Sequence, residues 1–348
     1  MLNGLYVAAM GRAFLRFRNP RRQAAGRNQD AFYKKAWQEA IESLGGTYQA
    51  LGPNFSELRL NGKRTRVVEN VSAIDDPVTL QVMHDKPLTH QILRAEGIRT
   101  PEHAVFTMKK MQPAVEFLNK FNGKCVVKPS GGTGGGRGVT TGIQKISHLA
   151  KAAAAAAVYN DGLLIEEQLP GDNYRLLYLD GELLDAFIRR PPGVVGDGKT
   201  SVSKLVQQDN DERLSRGFGV SQVLIAIDLD MKRTLDAQGL SLGSVPEAGR
   251  QVKLKTVINE NSGADNSTVT SLLHESIIKD GQKAVRSLGS RFAGIDLITT
   301  DISVPLSESK GAFIEVNGTP NLYYHYHKKD SCFPVAIPLL KLVFQKMA

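Results

Sequence analysis

Cysteine is nearly missing: the 348 residues include two, Cys125 and Cys332. That excludes a disulfide framework and a multi-cysteine zinc site, and it fits a reducing, cytoplasmic setting. No apolar run approaches the ~18 residues of a membrane-crossing helix. Acid is missing from residues 1–29, which hold six arginines: Arg12, Arg16, Arg18, Arg21, Arg22 and Arg27. These supply six of the nine net positive charges, so the remainder is only mildly basic and no nucleic-acid partner is expected. The first ten residues lack the charged start and apolar stretch of a secretory signal. An arginine-rich, acid-free start has the composition of a transit peptide or membrane-surface helix, while a free or partner-packed arm is the plainer reading. Repeats of roughly 20–50 residues are missing too. What is present is an ordinary globular balance, 41% hydrophobic and 23% charged, in a chain long enough for two or three domains.

Periodicity predicts a helix over Gln29–Leu44, stopped by Gly45-Gly46. A hairpin over 55–69 turns at Asn61-Gly62. Asp85 caps a helix from Lys86 to Glu96 that Gly97 ends. Strands are expected at Lys124–Pro129 and Leu163–Glu167, with an alanine-rich helix around 150–157 between them. A second hairpin, Tyr174–Leu179 with Glu182–Arg190, turns at Asp180-Gly181. Pro191–Lys199 reads as a loop and Ser201–Leu214 as a polar helix. Strands Gly294–Thr299 and Ala312–Val316 precede a C-terminal helix over 333–346. Hairpins among alternating strands and helices give an α+β class rather than a uniform βαβ series.

The segment Ser130-Gly131-Gly132-Thr133-Gly134-Gly135-Gly136-Arg137-Gly138 follows the apolar strand end Val126-Val127-Lys128-Pro129. Glycine at this density costs chain entropy but lets unhindered N–H groups approach phosphate oxygens. No Gly-Lys-Ser/Thr follows, so this is not a Walker A loop. A flexible linker uses the same residue. Lys128 tips the balance toward phosphate, because it can neutralise charge that loop amides cradle.

Asp296, Glu315 and Asn317 form the second constellation. Residues i and i+2 of a strand share a face, so Glu315 and Asn317 point together while Ile314 and Val316 go to the core. If the two strands pair antiparallel, Asp296 faces Glu315. Two carboxylates and an amide are hard oxygen donors suited to Mg²⁺ with phosphate and water. The plainer reading is the polar face of a half-buried sheet. His325 and His327 have the i,i+2 spacing of two ligands on a strand face, but without a third ligand a packed aromatic segment is the better reading.

These pieces, in this order, resemble the ATP-grasp superfamily, and within it the ATP-grasp module of cyanophycin synthetases, over about Asp85 to His327. The resemblance rests on Asp85-Lys86, Val126-Val127-Lys128-Pro129 with the glycine loop, Ile165-Glu166-Glu167-Gln168-Leu169-Pro170-Gly171, Tyr174-Arg175, Arg189-Arg190-Pro191-Pro192 with Val195-Gly196-Asp197-Gly198, Gly294-Ile295-Asp296 and Glu315-Val316-Asn317. It implies an ATP-grasp fold: two α/β subdomains, 85–160 with the lid loop and 161–348 with the metal site, clamping ATP. A small α/β unit, 29–84, and a basic arm, 1–28, come before them.

The resemblance places ATP phosphates on Lys86 and Lys128. The cover over them is Ser130, Gly131, Gly132, Gly134, Gly135 and Gly136. It places adenine at Glu166, Glu167 and Leu169, ribose at Asp172 or Asn173, and Mg²⁺ (Mn²⁺ as a substitute, two ions) on Asp296, Glu315 and Asn317. Arg175, Arg190 and Lys255 fall near positions that meet phosphate or substrate. Asn173 departs from the usual acid, and Asn317-Gly318-Thr319-Pro320-Asn321 departs from the usual Asn-x-x-Pro-Gly. The implied activity is ATP-dependent ligation of a small-molecule carboxylate and amine, amino acids or a short peptide, with homo-oligomers common among relatives. A ligase acting on a protein or peptide tail, a non-catalytic ATP-binding regulator and a membrane-surface role for the arm stay open as alternatives.

Overall fold

The computed structural model describes Val7, Met10 and residues 20–132, 136–215, 223–258 and 260–347. The arm residues Arg12, Arg16 and Arg18 and the loop glycines Gly134 and Gly135 lie outside the described residues. Among the described residues, no helix is long and apolar enough to cross a membrane.

A 24-residue helix, Pro20–Ser43, opens the described chain. It starts nine residues before the expected Gln29. Its Phe32, Tyr33, Ala36, Trp37, Ala40 and Ile41 are buried at helical spacing. They pack on a three-stranded antiparallel sheet, β1 (Thr47–Ala50), β2 (Phe55–Leu60) and β3 (Lys63–Val68). The Asn61-Gly62 turn forms as expected, with φ of 50° and 76°. The C-terminal helix Ala336–Lys346 joins this core through Leu339, Leu340 and Val343.

β4 (His103–Phe106), β5 (Cys125–Pro129), β6 (Thr140–Ile143) and β7 (Leu163–Glu167) form a four-stranded sheet in the order β4-β7-β5-β6. Helices Gln112–Lys120 and Ile146–Ala156 cover it, and the alanines of the second bury Ala152, Ala153 and Ala156 against Val127 and Ile165. Burial pushes the Cys125 thiol up to about 11, so it behaves as a small apolar group. The glycine loop connects β5 to β6.

β8 (Asp172–Leu179), β9 (Glu182–Arg189), β12 (Asn266–Thr268), β13 (Phe292–Thr299) and β14 (Ala312–Asn317) form a five-stranded sheet in the order β12-β9-β8-β13-β14. All its pairings are antiparallel, which fits the α+β class. Period-two alternation divides β8: Tyr174, Leu176 and Tyr178 pack under helix Glu275–Ser287, whereas Leu177 and Leu179 face the N-terminal core. Arg175 therefore lies on the same face as Leu177. The expected loop at 191–199 contains β10 (Gly193–Val195), paired with β11 (Gln251–Lys253). With helices Val202–Ser215 and Leu229–Asp236 these build a small fourth core around Val206, Met231, Leu235 and Leu254.

Gly171 joins β7 to β8 at a φ of 113°, and a Cβ there would run into the Thr299 carbonyl. Gly171→Ala is expected to cost about 1–3 kcal/mol in a urea titration. An unchanged midpoint would contradict this close packing on β13.

Candidate functional site

The two larger sheets meet where the β5 end, the start of helix Lys86–Ala95 and the β13–β14 pair come together. Asp85 caps that helix by accepting from Leu88 N at 3.0 Å. It also forms an isolated antiparallel bridge with Gly131, and Lys86 N donates to Ser130 O at 3.0 Å. A Cβ at Gly131 would come 2.6 Å from His84 O, which explains the glycine there. The first residues of the loop are thus pinned beside Lys86. Gly132 and Gly136 hold positive φ values of 69° and 66°.

On the facing sheet, β13 and β14 set Asp296 opposite Glu315, the expected antiparallel pairing. A register shift after this pair sets Leu297 opposite Phe313, so Phe313 rather than Ile314 is the buried neighbour of Val316. Asn317 Nδ2 lies 3.4 Å from Asp296 Oδ2.

The charges are shared tightly. Lys86 Nζ sits 3.0 Å from Glu315 Oε1, and Lys128 Nζ 2.7 Å from Glu166 Oε1. Arg175 grips Asp296 through Nε at 2.6 Å and Nη2 at 3.0 Å, and Arg189 Nη1 approaches the same carboxylate at 3.4 Å. Burial pulls the Lys86 ammonium down, but Glu315, with Glu166 and Asp296 behind it, leaves it raised. Burial pushes the Glu315 carboxyl up, yet Lys86, Lys128 and Arg175 leave it lowered. Arg189 is lowered by burial and by the neighbouring Arg175.

The other residues singled out in the sequence are dispersed. Glu167 pairs with Arg99 at 3.5 Å and accepts from Glu102 N, and Leu169 is buried. Asp172 pairs with Arg190 at 3.1 Å on an exposed surface. Asn173 stands opposite Arg189. Lys255 belongs to the small unit, ion-paired to Asp228 at 2.6 Å and Glu260 at 2.9 Å. Arg190 thus points away from the carboxylates and Arg189 takes the buried place. Sequence reasoning noted Arg189 only as half of the Arg189-Arg190 pair and carried Arg190 to the site, and it passed over a buried clamp: Lys328 Nζ lies 2.6 Å from both oxygens of Asp185, and His325 Nδ1 2.6 Å from Oδ2. Tyr323–Tyr326 is a short helix, not a strand, so the two histidines do not share a strand face.

His90, on helix Lys86–Ala95, is 1% exposed and donates from Nε2 to Ile314 O at 3.2 Å. Burial, with Lys128 next, pushes its imidazole down to about 3. Burial also lowers His325 and His103. The folded state keeps His90 neutral while the unfolded chain protonates near pH 6.5, so stability is full above that pH and falls as pH drops toward 3. His90 contributes a loss of about 1.4 kcal/mol per pH unit in that window. Urea titrations at pH 7, 6, 5 and 4 should show the slope, and His90→Gln should flatten it. An identical slope in the variant would contradict the assignment.

Asp296 and Glu315, in register, and the adjoining Asn317 amide carry oxygen donors of the kind a divalent cation takes. Among the described residues, no three His, Cys, Asp or Glu gather to hold a metal on their own. The set suits a cation that also takes phosphate oxygens and water.

Facing antiparallel sheets, a glycine loop bridging two strands of one, and lysines from that side meeting carboxylates of the other make an ATP-grasp fold, and the chain resembles ATP-grasp ligases. It is 32% identical over 244 residues to the cyanophycin synthetase of Trichormus variabilis, covering 69% of this chain and 27% of that one. It is 32% identical over 287 residues to the glutathione biosynthesis bifunctional protein of Enterococcus faecalis, covering 80% of this chain and 37% of that one. The crystal structure of a bifunctional glutathione synthetase from Pasteurella multocida aligns with a TM-score of 0.58 at 26% identity, over 90% of this chain and 43% of that chain. The chain therefore spans less than half the length of these relatives. No protein-family model matches it.

Proposed function

We propose that the protein is an ATP-dependent ligase that joins a carboxylate and an amine, on amino acids or a short peptide, through an acylphosphate. The carrying observation is the meeting of Lys86 with Glu315 at 3.0 Å, which sets the phosphate-neutralising lysines against the Asp296–Glu315 pair.

Each cation of this cluster has an anion. Lys86 holds Glu315, Lys128 holds Glu166 and Arg175 holds Asp296. With nucleotide and metal bound, Lys86 and Lys128 would turn to phosphate oxygens, and Asp296 and Glu315 would be freed to hold the metal. Bound Mg²⁺, two ions in this reading, would neutralise phosphate charge and orient the phosphates. Asp296, Glu315 and Asn317 would hold it. The loop amides from Ser130 onward would cover the phosphates and exclude water, which would otherwise hydrolyse the acylphosphate. Phosphoryl transfer needs mainly positioning and charge stabilisation, and buried Arg175 and Arg189 can stabilise the anion that forms beside Asp296.

In the reaction a substrate carboxylate oxygen bonds to the γ-phosphorus of ATP and ADP leaves. The amine then attacks the acyl carbon, the carbon–oxygen bond to phosphate breaks and an amide remains. The division at residue 85 into a leading α/β unit and the nucleotide-clamping part belongs to this reading.

Hydroxylamine trapping tests it. Single candidate acids with Mg-ATP and hydroxylamine should give hydroxamate and ADP in equal amounts. ADP without hydroxamate from every acid, peptide acids included, would overturn the acylphosphate route.

A further inference from the structure

Three buried polar atoms on two neighbouring segments have no hydrogen-bond partner among the described residues: Asn266 Nδ2, Tyr323 Oη and Tyr324 Oη. Asn266 and Tyr323 are fully buried and Tyr324 is 7% exposed. His325 Nε2, on the same short helix, is likewise buried and unpartnered. Each such group destabilises the fold if nothing satisfies it.

Their surroundings are cationic. Asn266 stands opposite Arg189 across the β12–β9 pair, and the Arg189 guanidinium carbon lies 5.7 Å from the centre of the Tyr324 ring. Arg189 also reaches Asp296, so one guanidinium separates this group from the metal-binding pair. Arg213, buried on helix Val202–Ser215, donates to Glu260 O at 2.8 Å, and its charge is felt by both tyrosines.

The polar atoms are held in place. The Asp185–His325–Lys328 clamp fixes the short helix, and Lys329 N donates to Asn266 O at 2.9 Å. Asn266 Oδ1 accepts from Asn261 at 2.7 Å, which leaves its NH₂ as the open donor. A water can satisfy a lone phenol, but an amide donor and two hydroxyls beside the Arg189 guanidinium suit an oxygen anion of carboxylate size.

We propose that Asn266, Tyr323 and Tyr324, backed by Arg189 and Arg213, hold the carboxylate of the amine-bearing substrate, an amino acid or peptide. An α-amino acid carries its amine two bonds from its carboxylate, so a carboxylate held beside Arg189 presents the amine toward Asp296 and the acyl carbon. This assignment rests on the ligase reading above.

The test takes the acid found by hydroxylamine trapping and offers amino acids and dipeptides as acceptors, each as the free acid and as the C-terminal amide. Free acids should show kcat/KM at least ten-fold above their amides. Tyr324→Phe should bring that ratio close to one through a rise in KM for the free acid, and Asn266→Asp should invert it. Damage to the fold would lower both forms alike and preserve the ratio. Amides as good as acids in the wild type, or a ratio unmoved by Tyr324→Phe, would overturn the subsite and leave the ligase reading standing. If trapping detects no acylphosphate, the ligase reading falls and the subsite with it.

Discussion

Glu315→Gln is expected to lower kcat for ADP formation by about 10²–10³ or more while the protein stays folded. The side chain is isosteric, so packing is kept and charge alone is removed. Glu315 is partly exposed (26%), but its partner Lys86 is buried (9%), so removing the charge leaves that ammonium to the more distant Glu166 and Asp296. Thermal stability should therefore fall in part, without unfolding the protein. With nucleotide bound, the same change would remove one of two carboxylates from the cation site. Steady-state ADP release separates the cases. A variant that retained a tenth of wild-type turnover would overturn the proposed role of Glu315 as a metal ligand.

Asp296→Asn should act on stability as well as activity. Asp296 is 6% exposed, and it is the carboxylate that Arg175 grips and Arg189 approaches. Its neutralisation leaves two neighbouring buried guanidiniums facing an amide. Breaking a buried ion pair from one side costs about 3–5 kcal/mol, because the remaining charge stays desolvated. Pairing Asp296→Leu with Arg175→Met should recover part of that loss but none of the turnover. Urea unfolding of the two variants side by side checks this. A single variant as stable as wild type would show that the arginines have another counter-charge.

Much of this site was legible because its parts are local. Asn61-Gly62 and Asp180-Gly181 announce their turns, Asp85 announces a cap, and all three form. Glu315 and Asn317 share a strand face, and the short connection from β13 made antiparallel pairing the natural expectation. What the sequence hides is irregularity. A regular two-residue turn at Asp180-Gly181 would pair Arg175 with Ala186 and set Arg190 on the Arg175 face. The strands instead carry a register shift between Leu177 and Tyr178, so Arg175 pairs with Phe187 and Arg189 takes that face. The second shift, beside Asp296, exchanges Ile314 for Phe313 in the core. The Asp185–His325–Lys328 clamp joins residues about 140 positions apart, and no local pattern signals it. The only signal for Tyr324 was an aromatic run that reads equally well as packing.

The most direct measurement of the central claim is ADP release from Mg-ATP in pairwise mixtures of amino acids and short peptides, with product masses read in the same reactions. The ligase account predicts release that depends on a particular pair and a product whose mass is their sum less one water. ADP release that ignores the pair, or a pair that stimulates release without a condensed product, would contradict it.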